Sequence, residues 1–307
     1  MTDFLVMTQP SMRVDLNNTV HAFGGNVHIW SVEEKPDIFD AAFARYSIFK
    51  FHDIDQYENI FYLDTDVLIN GTLAQIFQRE IPNGAICCLA EGSLQDDCFD
   101  CYGRSLFIEH GYQEHLSQPG FTSGAILFKN SSRIREIFES VLDLGIAAKV
   151  SGRIFPCFDQ PFLNLLAITR ESVNLDLLGT LMINNPKGEE GNFIINHFPG
   201  GPGNFCSKFS KMSRYLLVMI RRRLSDQVFS IVLDELFSPK GLSSSIVRLD
   251  SGIFLAELSD GSTGFLLSRS DSSMGLFLSI PSFEVVNVNV NESIRNMEVS
   301  PLMRVLD

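Results

Sequence analysis

The triplet Asp64-Thr65-Asp66 directly follows the apolar run Ile60-Phe61-Tyr62-Leu63. A continuous apolar run of this length reads as a strand covered on both faces. The triplet then stands at the strand's C-terminal end, where open α/β sheets bind their ligands. Alternate residues of an extended chain share a side, so Asp64 and Asp66 can face one way while Thr65 faces the other. Two carboxylates on one side can hold a hard divalent cation and leave positions open for diphosphate oxygens. On its own the triplet also reads as a solvated turn, because Asp favours turns for local reasons.

A second stretch supports the metal reading. Phe193-Ile194-Ile195 is a short strand, and Asn196-His197-Phe198-Pro199-Gly200-Gly201-Pro202-Gly203-Asn204 follows it. His197 is therefore at another strand end, and neutral imidazole is a good third ligand for manganese-like ions. The glycines let backbone N–H groups come close to phosphate, and Lys208 can place a point charge on it. The competing reading is a turn with a core histidine, since Gly and Pro mark turns anyway. Asp159, Gln160 and Pro161 open a helix that carries Phe162, Leu165 and Leu166. Asp159 can be its N-cap, which would not exclude a chemical role.

One pattern is set aside. Cys98 and Cys101 precede His110 and His115, a superficial likeness to a zinc finger. The gap between the pairs is too short, and His110 lies in a segment that itself reads as helix, Ser105-Leu106-Phe107-Ile108. The six cysteines are scattered without a dense framework. No signal peptide is recognised ahead of them, and reduced cytosolic thiols are the expectation.

Elements that could position these residues alternate through the first three-quarters of the 307-residue chain. Asp3 to Met7, Ala85 to Leu89 and Ala125 to Phe128 read as further buried strands. Phe39, Phe43, Tyr46 and Phe49 recur at helical spacing. Ser131 and Ser132 can cap a helix whose apolar stripe is Ile134, Ile137, Phe138, Val141 and Leu142. A last helix follows Lys208, with Met212, Tyr215, Leu216, Met219 and Ile220 on one side. The alternation predicts an α/β fold with a mostly parallel central sheet flanked by helices. Beyond about residue 225, Ser and Gly become frequent and short β runs appear: Val228–Val232, Ser245–Leu249, Ile253–Leu258, Gly264–Leu267 and Val285–Val290. Asp260-Gly261 is a hairpin signal. Residues 1–225 are thus expected to form the main domain, and residues 226–307 a small β-rich one of unknown role.

Composition excludes some function classes. Lys and Arg total 24 against 37 Asp and Glu, a net charge of −13, which argues against a general nucleic-acid or acidic-lipid binder. The 26 Phe residues point to a large aromatic core. Leu216 to Ile220 falls far short of the ~20 apolar residues that span a bilayer. Arg221-Arg222-Arg223 suits a helix C-terminus. The sharper reading is peripheral contact with an anionic membrane near a lipid-linked acceptor.

Taken together, the motifs resemble the family 8-like retaining glycosyltransferases that include glycogenin and the bacterial lipooligosaccharide galactosyltransferases. The resemblance covers about residues 1–215. It rests on Ala44-Arg45-Tyr46, Tyr62-Leu63-Asp64-Thr65-Asp66, Phe121-Thr122-Ser123-Gly124, Asp159-Gln160, and His197-Phe198-Pro199-Gly200 with a following lysine, in the family's order. It implies a GT-A fold, a nucleotide sugar donor carrying a hexose on UDP, and Mn2+ or Mg2+. Asp64, Asp66 and His197 would hold the metal. Arg45, Thr65, Ser123, Gly200 and Lys208 would bind the donor. Asp159 and Gln160 would be the catalytic pair, lining the sugar and acceptor site. The family usually has Asn where Thr122 stands. Its first strand, whose turn contacts the base, has no counterpart here, since Asp3 to Met7 matches the second. The function expected is metal-dependent hexose transfer to a carbohydrate or glycolipid hydroxyl in the cytoplasm, for cell-surface glycan synthesis. The alternatives are a degenerate nucleotide-sugar or glycan-binding protein and, less well matched to the His197 loop, a nucleotidyltransferase.

Overall fold

The computed structural model describes residues 3–13, 27–35, 37–186, 193–200, 208, 211–212 and 215, and the backbone of five further strands between residues 245 and 288. In chain order the strands are β1 (Phe4–Thr8), β2 (Val27–Ser31), β3 (Asn59–Leu63), β4 (Val67–Ile69), β5 (Ile86–Cys87), β6 (Ala90–Ser93), β7 (Pro119–Phe121), β8 (Ala125–Lys129), β9 (Val173–Asn174), β10 (Met182–Asn184) and β11 (Ile195–His197). The chain divides into two compact units. One holds Met1–Thr65, Thr72–Asn184 and Phe193–Ile195, and the other holds Asp66–Gly71, Asn185–Asn192 and Asn196–Asp307.

The first unit is α/β. Its four-stranded sheet has the order β3-β8-β5-β9. Ile60–Leu63 and Ala125–Phe128 are strands as expected, while Ala85–Leu89 is strand only at Ile86–Cys87. Residues 125–128 of β8 are fully buried, whereas β3, expected to be covered on both faces, is half-buried at the sheet edge. The sheet is mixed rather than mostly parallel. β8 runs antiparallel to β3, with Leu63 opposite Ala125, and antiparallel to β5, while β5 and β9 are parallel. The reason is where the chain enters. β6 and β7 form an antiparallel pair, and β8 then starts at the C-terminal end of β3 and must run backwards along it. That reversal sets Gly124 beside Asp64, whose N–H donates to the Gly124 carbonyl at 2.8 Å.

Helices cover this sheet. Phe39 and Phe43 are four residues apart and lie on α1 (Ile38–Phe43). Phe43, Tyr46 and Phe49 are three apart, and from Ala44 to Lys50 the backbone tightens to a 3-10 helix, where residues i and i+3 eclipse. Helix α2 (Arg104–Glu109) covers Ser105 to Ile108 as expected, but it ends before His110, which is its C-cap rather than part of it. Helix α3 (Ser132–Val150) starts as expected: Ser131 Oγ accepts the Ile134 N–H at 3.4 Å, and Ile134, Ile137, Phe138 and Val141 are buried. Helix α4 (Gln160–Thr169) packs beside it.

Strands β1 and β2 form a separate parallel pair, with Val6 opposite Ile29. Among the described residues β1 pairs with β2 alone and β3 with β8 alone. Both β1 and β3 line, along their whole length, a cavity of about 980 Å³ that Ile48, Phe51, Ile126 and Phe128 also line.

In the second unit, the strands β12 (Ser245–Asp250), β13 (Ile253–Glu257), β14 (Thr263–Ser268), β15 (Met274–Leu278) and β16 (Val285–Val288) make an antiparallel meander in chain order. The strand β15 had no counterpart in the sequence reading. The turn at Asp260-Gly261, the run Val228–Val232, the glycines at 201 and 203, and Arg221–Arg223 lie outside the described residues. Lys208, Lys211, Met212 and Tyr215 are helical. No helix among the described residues is long and apolar enough to cross a membrane.

Candidate functional site

In the first unit the site is organised by Arg45. The 3-10 turn that carries it points the guanidinium at four partners on different segments of the chain. Nη1 donates to the Ser123 carbonyl at 2.6 Å, and Nε donates to the Ala42 carbonyl at 3.1 Å. Nη2 is 3.2 Å from Asp64 Oδ1, and Nε is 3.7 Å from Asp159 Oδ2. The Tyr62 ring lies under it, 4.8 Å from centroid to guanidinium carbon. Burial works against the charge, but Asp159 and then Asp64 outweigh it and raise the Arg45 pKa. A rigid planar fork holds several partners in fixed directions at once, which a flexible ammonium does less well.

Asp159 is the buried carboxylate of this cluster. It occupies the N-cap position of α4 but makes no side-chain capping bond, so the capping alternative does not hold. Its Oδ2 instead accepts the Tyr46 hydroxyl at 2.6 Å. Burial pushes the Asp159 pKa up, with Arg45 and the Tyr46 hydrogen bond opposing. Burial also raises Tyr46 and Tyr62, which keeps both phenols protonated as donors.

Gln160 has both ends of its amide engaged. Oε1 accepts the Ser123 N–H at 3.0 Å, and Nε2 donates to the Cys101 carbonyl at 3.2 Å. One turn later, Asn164 accepts the Phe121 N–H and donates to the Phe121 and Gln160 carbonyls, each at 2.9 Å. No sequence motif marks Asn164. A fully buried amide on an otherwise apolar helix was the available signal, because a buried polar group needs partners. Together Gln160 and Asn164 fix the turn Phe121-Thr122-Ser123-Gly124. Within it Thr122 is buried and accepts the Gly124 N–H at 3.2 Å.

Asp64 closes this cluster. Its Oδ1 accepts the Tyr62 hydroxyl at 2.6 Å. The triplet lies beyond the end of β3 and is not itself extended strand; Thr65 is exposed, while Asp66 is 7% exposed.

The second unit holds Asp66, His197, Gly200 and Lys208. Strand β4 neighbours β11, and the Phe198 N–H donates to the Asp66 carbonyl at 2.9 Å. That register brings His197 Nε2 to 3.3 Å from Asp66 Oδ1. Lys208 Nζ donates to the other oxygen, Oδ2, at 2.6 Å. Burial would raise the Asp66 pKa, but His197 and Lys208 overcome it, and the net shift is downward. Asp66 is therefore a carboxylate. A Cβ on Gly200 would come within 3.2 Å of Lys208 Cε, so glycine leaves room for the lysine. Tyr215 ties its helical turn to β11 by donating to Asn196 Oδ1 at 2.8 Å.

The residues fit a divalent metal. Asp66 Oδ1 is buried and accepts no hydrogen bond from the described residues, a costly state unless something else satisfies it. An orphaned carboxylate oxygen facing an imidazole nitrogen is a donor set for a manganese- or magnesium-like ion. The cysteine pattern has no such set. Cys98 is exposed, the Cys101 and Cys157 thiols hydrogen-bond each other, and His115 pairs with Glu114 and Gln118. Among the described residues, Cys98, Cys101, His110 and His115 form no metal-ligand group.

Comparison with known proteins follows the same line. The family model "Glycosyl transferase family 8" matches residues 16–171. No curated protein matches the chain. Among solved structures, the chain is similar to the galactosyltransferase LgtC in complex with donor and acceptor sugar analogues. The identity is 15%, over 73% of this chain and 87% of that one, with a TM-score of 0.47. For mouse xyloside xylosyltransferase 1 the identity is 13% over 64% and 83%, with a TM-score of 0.42. For the bifunctional glycosyltransferase WbbM it is 11% over 72% of this chain, with a TM-score of 0.43, and the chain spans 51% of that protein's length. Likenesses at this level carry no argument about activity.

Proposed function

This chain belongs to glycosyl transferase family 8 and is a glycosyltransferase, and we propose that it moves a hexose from a UDP-linked donor to a carbohydrate or glycolipid hydroxyl, with a divalent metal and with retention of configuration. The observation that carries the metal reading is the buried, orphaned Asp66 Oδ1 that faces His197 beside Lys208. In this reading Asp64, two residues before Asp66, is the third ligand. Each of the three side chains offers one ligand atom.

A bound Mn2+ or Mg2+ would neutralise the charge that builds on the leaving diphosphate. The protein's own groups share that work. Lys208 turns its charge from Asp66 to the phosphates, and Gly200 lets the backbone come close to them. Arg45, Thr65 and Ser123 contact the donor. Asp159, held by Tyr46 and Arg45, sets a negative group beside the sugar as it becomes cationic. Gln160 stands where a covalent route would need a carboxylate, and its amide oxygen already accepts the Ser123 N–H. The acceptor oxygen therefore attacks on the face the diphosphate leaves. The sugar–phosphate C–O bond breaks, and a diphosphate oxygen takes the acceptor proton. The catalytic domain ends near residue 225 in this reading, and residues 226–307 form a second, β-rich domain of unknown role. The enzyme works in the cytoplasm, with Arg221–Arg223 reaching an anionic membrane near the acceptor.

A hydrolysis screen over a panel of nucleotide sugars, with Mn2+ or with chelator, tests the proposal. Release of UDP from a UDP-hexose in the Mn2+ arm alone supports it. No turnover of any nucleotide sugar in either arm overturns it.

A further inference from the structure

Asp64 is bound in an uneven way. The Tyr62 hydroxyl donates to Oδ1 at 2.6 Å, and Arg45 Nη2 is 3.2 Å from the same oxygen. Both cationic and neutral donors therefore converge on Oδ1, and the described contacts leave Oδ2 clear. The arrangement follows from local geometry. Tyr62 and Asp64 are two residues apart at the end of β3, so their side chains share a face. The Tyr62 ring is held in turn under the Arg45 guanidinium. The hydroxyl thus approaches from a fixed side and sets the rotation of the carboxylate.

We propose that Tyr62 is a positioning residue for metal capture: with Arg45 it occupies Oδ1 of Asp64, so that Asp64 presents Oδ2 alone to the ion. This rests on the metal reading above. A carboxylate free to rotate would offer either oxygen or both, and would lose rotational freedom on binding. One already turned by two donors loses less. Outer partners that orient metal ligands commonly change metal affinity by ten- to a hundredfold when removed.

The test uses the full chain without any donor. Free Mn2+ is read from its electron paramagnetic resonance signal while protein is titrated. Tyr62→Phe keeps the ring that packs under Arg45 and removes the hydroxyl. Its Kd for Mn2+ should rise at least about tenfold, with the melting temperature of the metal-free protein unchanged. Tyr57→Phe is the control: it removes another β3-side hydroxyl, which donates to Asp3 Oδ2 at 2.9 Å, and should leave the Mn2+ Kd unchanged. If Tyr62→Phe fails to fold, Tyr62→Met takes its place, because Met also lacks the hydroxyl and fills irregular space. A Tyr62 variant that folds and binds Mn2+ as tightly as the native chain overturns the positioning role and leaves the metal reading standing. Equal weakening by Tyr57→Phe also overturns it. A native chain that takes up no Mn2+ overturns both.

Discussion

Replacing Arg45 with Met tests the organisation of the first-unit cluster. The Arg45 side chain is 11% exposed and Asp159 only 4%. Met keeps most of the aliphatic volume but leaves the Asp159 carboxylate buried with no cation beside it. Breaking a buried pair by removing one partner costs about 3–5 kcal/mol. The lost charged hydrogen bond to the Ser123 carbonyl is worth about 1.5–3 kcal/mol on its own, but the two losses share one side chain and do not add. The expected total is about 4 kcal/mol, against a typical whole of roughly 5–15. Trp30 is the one tryptophan and packs 5.7 Å from Phe51 in the same unit, so its fluorescence in urea reports this unit. Asp159→Asn removes the charge and keeps an acceptor for Tyr46. The double variant should therefore recover about 2–3 kcal/mol relative to additivity. A cost below about 1 kcal/mol for Arg45→Met, or simple additivity in the double variant, would refute the claim that Arg45 neutralises Asp159.

Three further outcomes follow from the same geometry. Gly145→Ala would normally gain about 1 kcal/mol in a helix, but here the new Cβ would stand 2.2 Å from Phe43 Cε1. A net loss of about 1–3 kcal/mol is expected, read as a lower melting temperature. Gln160→Glu replaces the donor to the Cys101 carbonyl with an acceptor, so it should cost about 1–3 kcal/mol and create no covalent sugar intermediate detectable by mass spectrometry. Asp159 has a folded pKa raised above the ordinary 3.8. Its protonation therefore contributes stability that is fully present below 3.8 and is lost as pH rises through the folded value. Carboxyl carbon chemical shifts should titrate above 3.8 at Asp159, and Asp159→Asn should lack that fall in stability.

What was legible in the sequence was what is local. The apolar run Ala125–Phe128 is a strand buried on both faces, and Ile60–Leu63 is a strand too, but a half-buried one at the sheet edge. Ser131 with the stripe Ile134, Ile137, Phe138 and Val141 defines α3 by capping and period together. The step from four- to three-residue spacing after Phe43 carried the 3-10 turn, but period alone reads it as helix. The strand Val27–Ser31 was missed because Val, His, Ile, Trp and Ser show no clean alternation. The direction of β8 depends on where the chain enters the sheet, which no window of sequence holds. The site followed the same division. Asp64, Asp66 and His197 stand out in the sequence as candidate ligands by their place near strand ends. The true partners of Asp159 are Tyr46 and Arg45, 113 and 114 residues away, so its local signal as a helix cap pointed elsewhere. Asn164 and Tyr62 act through contacts that only the folded chain makes.

The central claim is metal-dependent sugar transfer through Asp66 and its neighbours. Asp66→Asn keeps the shape of the side chain and removes the charge that His197 and Lys208 surround. The decisive measurement is the rate of sugar release from the donor found in the screen, with Mn2+ varied, for the native chain and this variant, and with circular dichroism of the whole chain confirming that both are folded. The account predicts a native rate that rises with Mn2+ and falls to background with chelator, and a folded variant that stays near background at every Mn2+ concentration. A folded Asp66→Asn variant that turns over at the native rate in Mn2+ would contradict it.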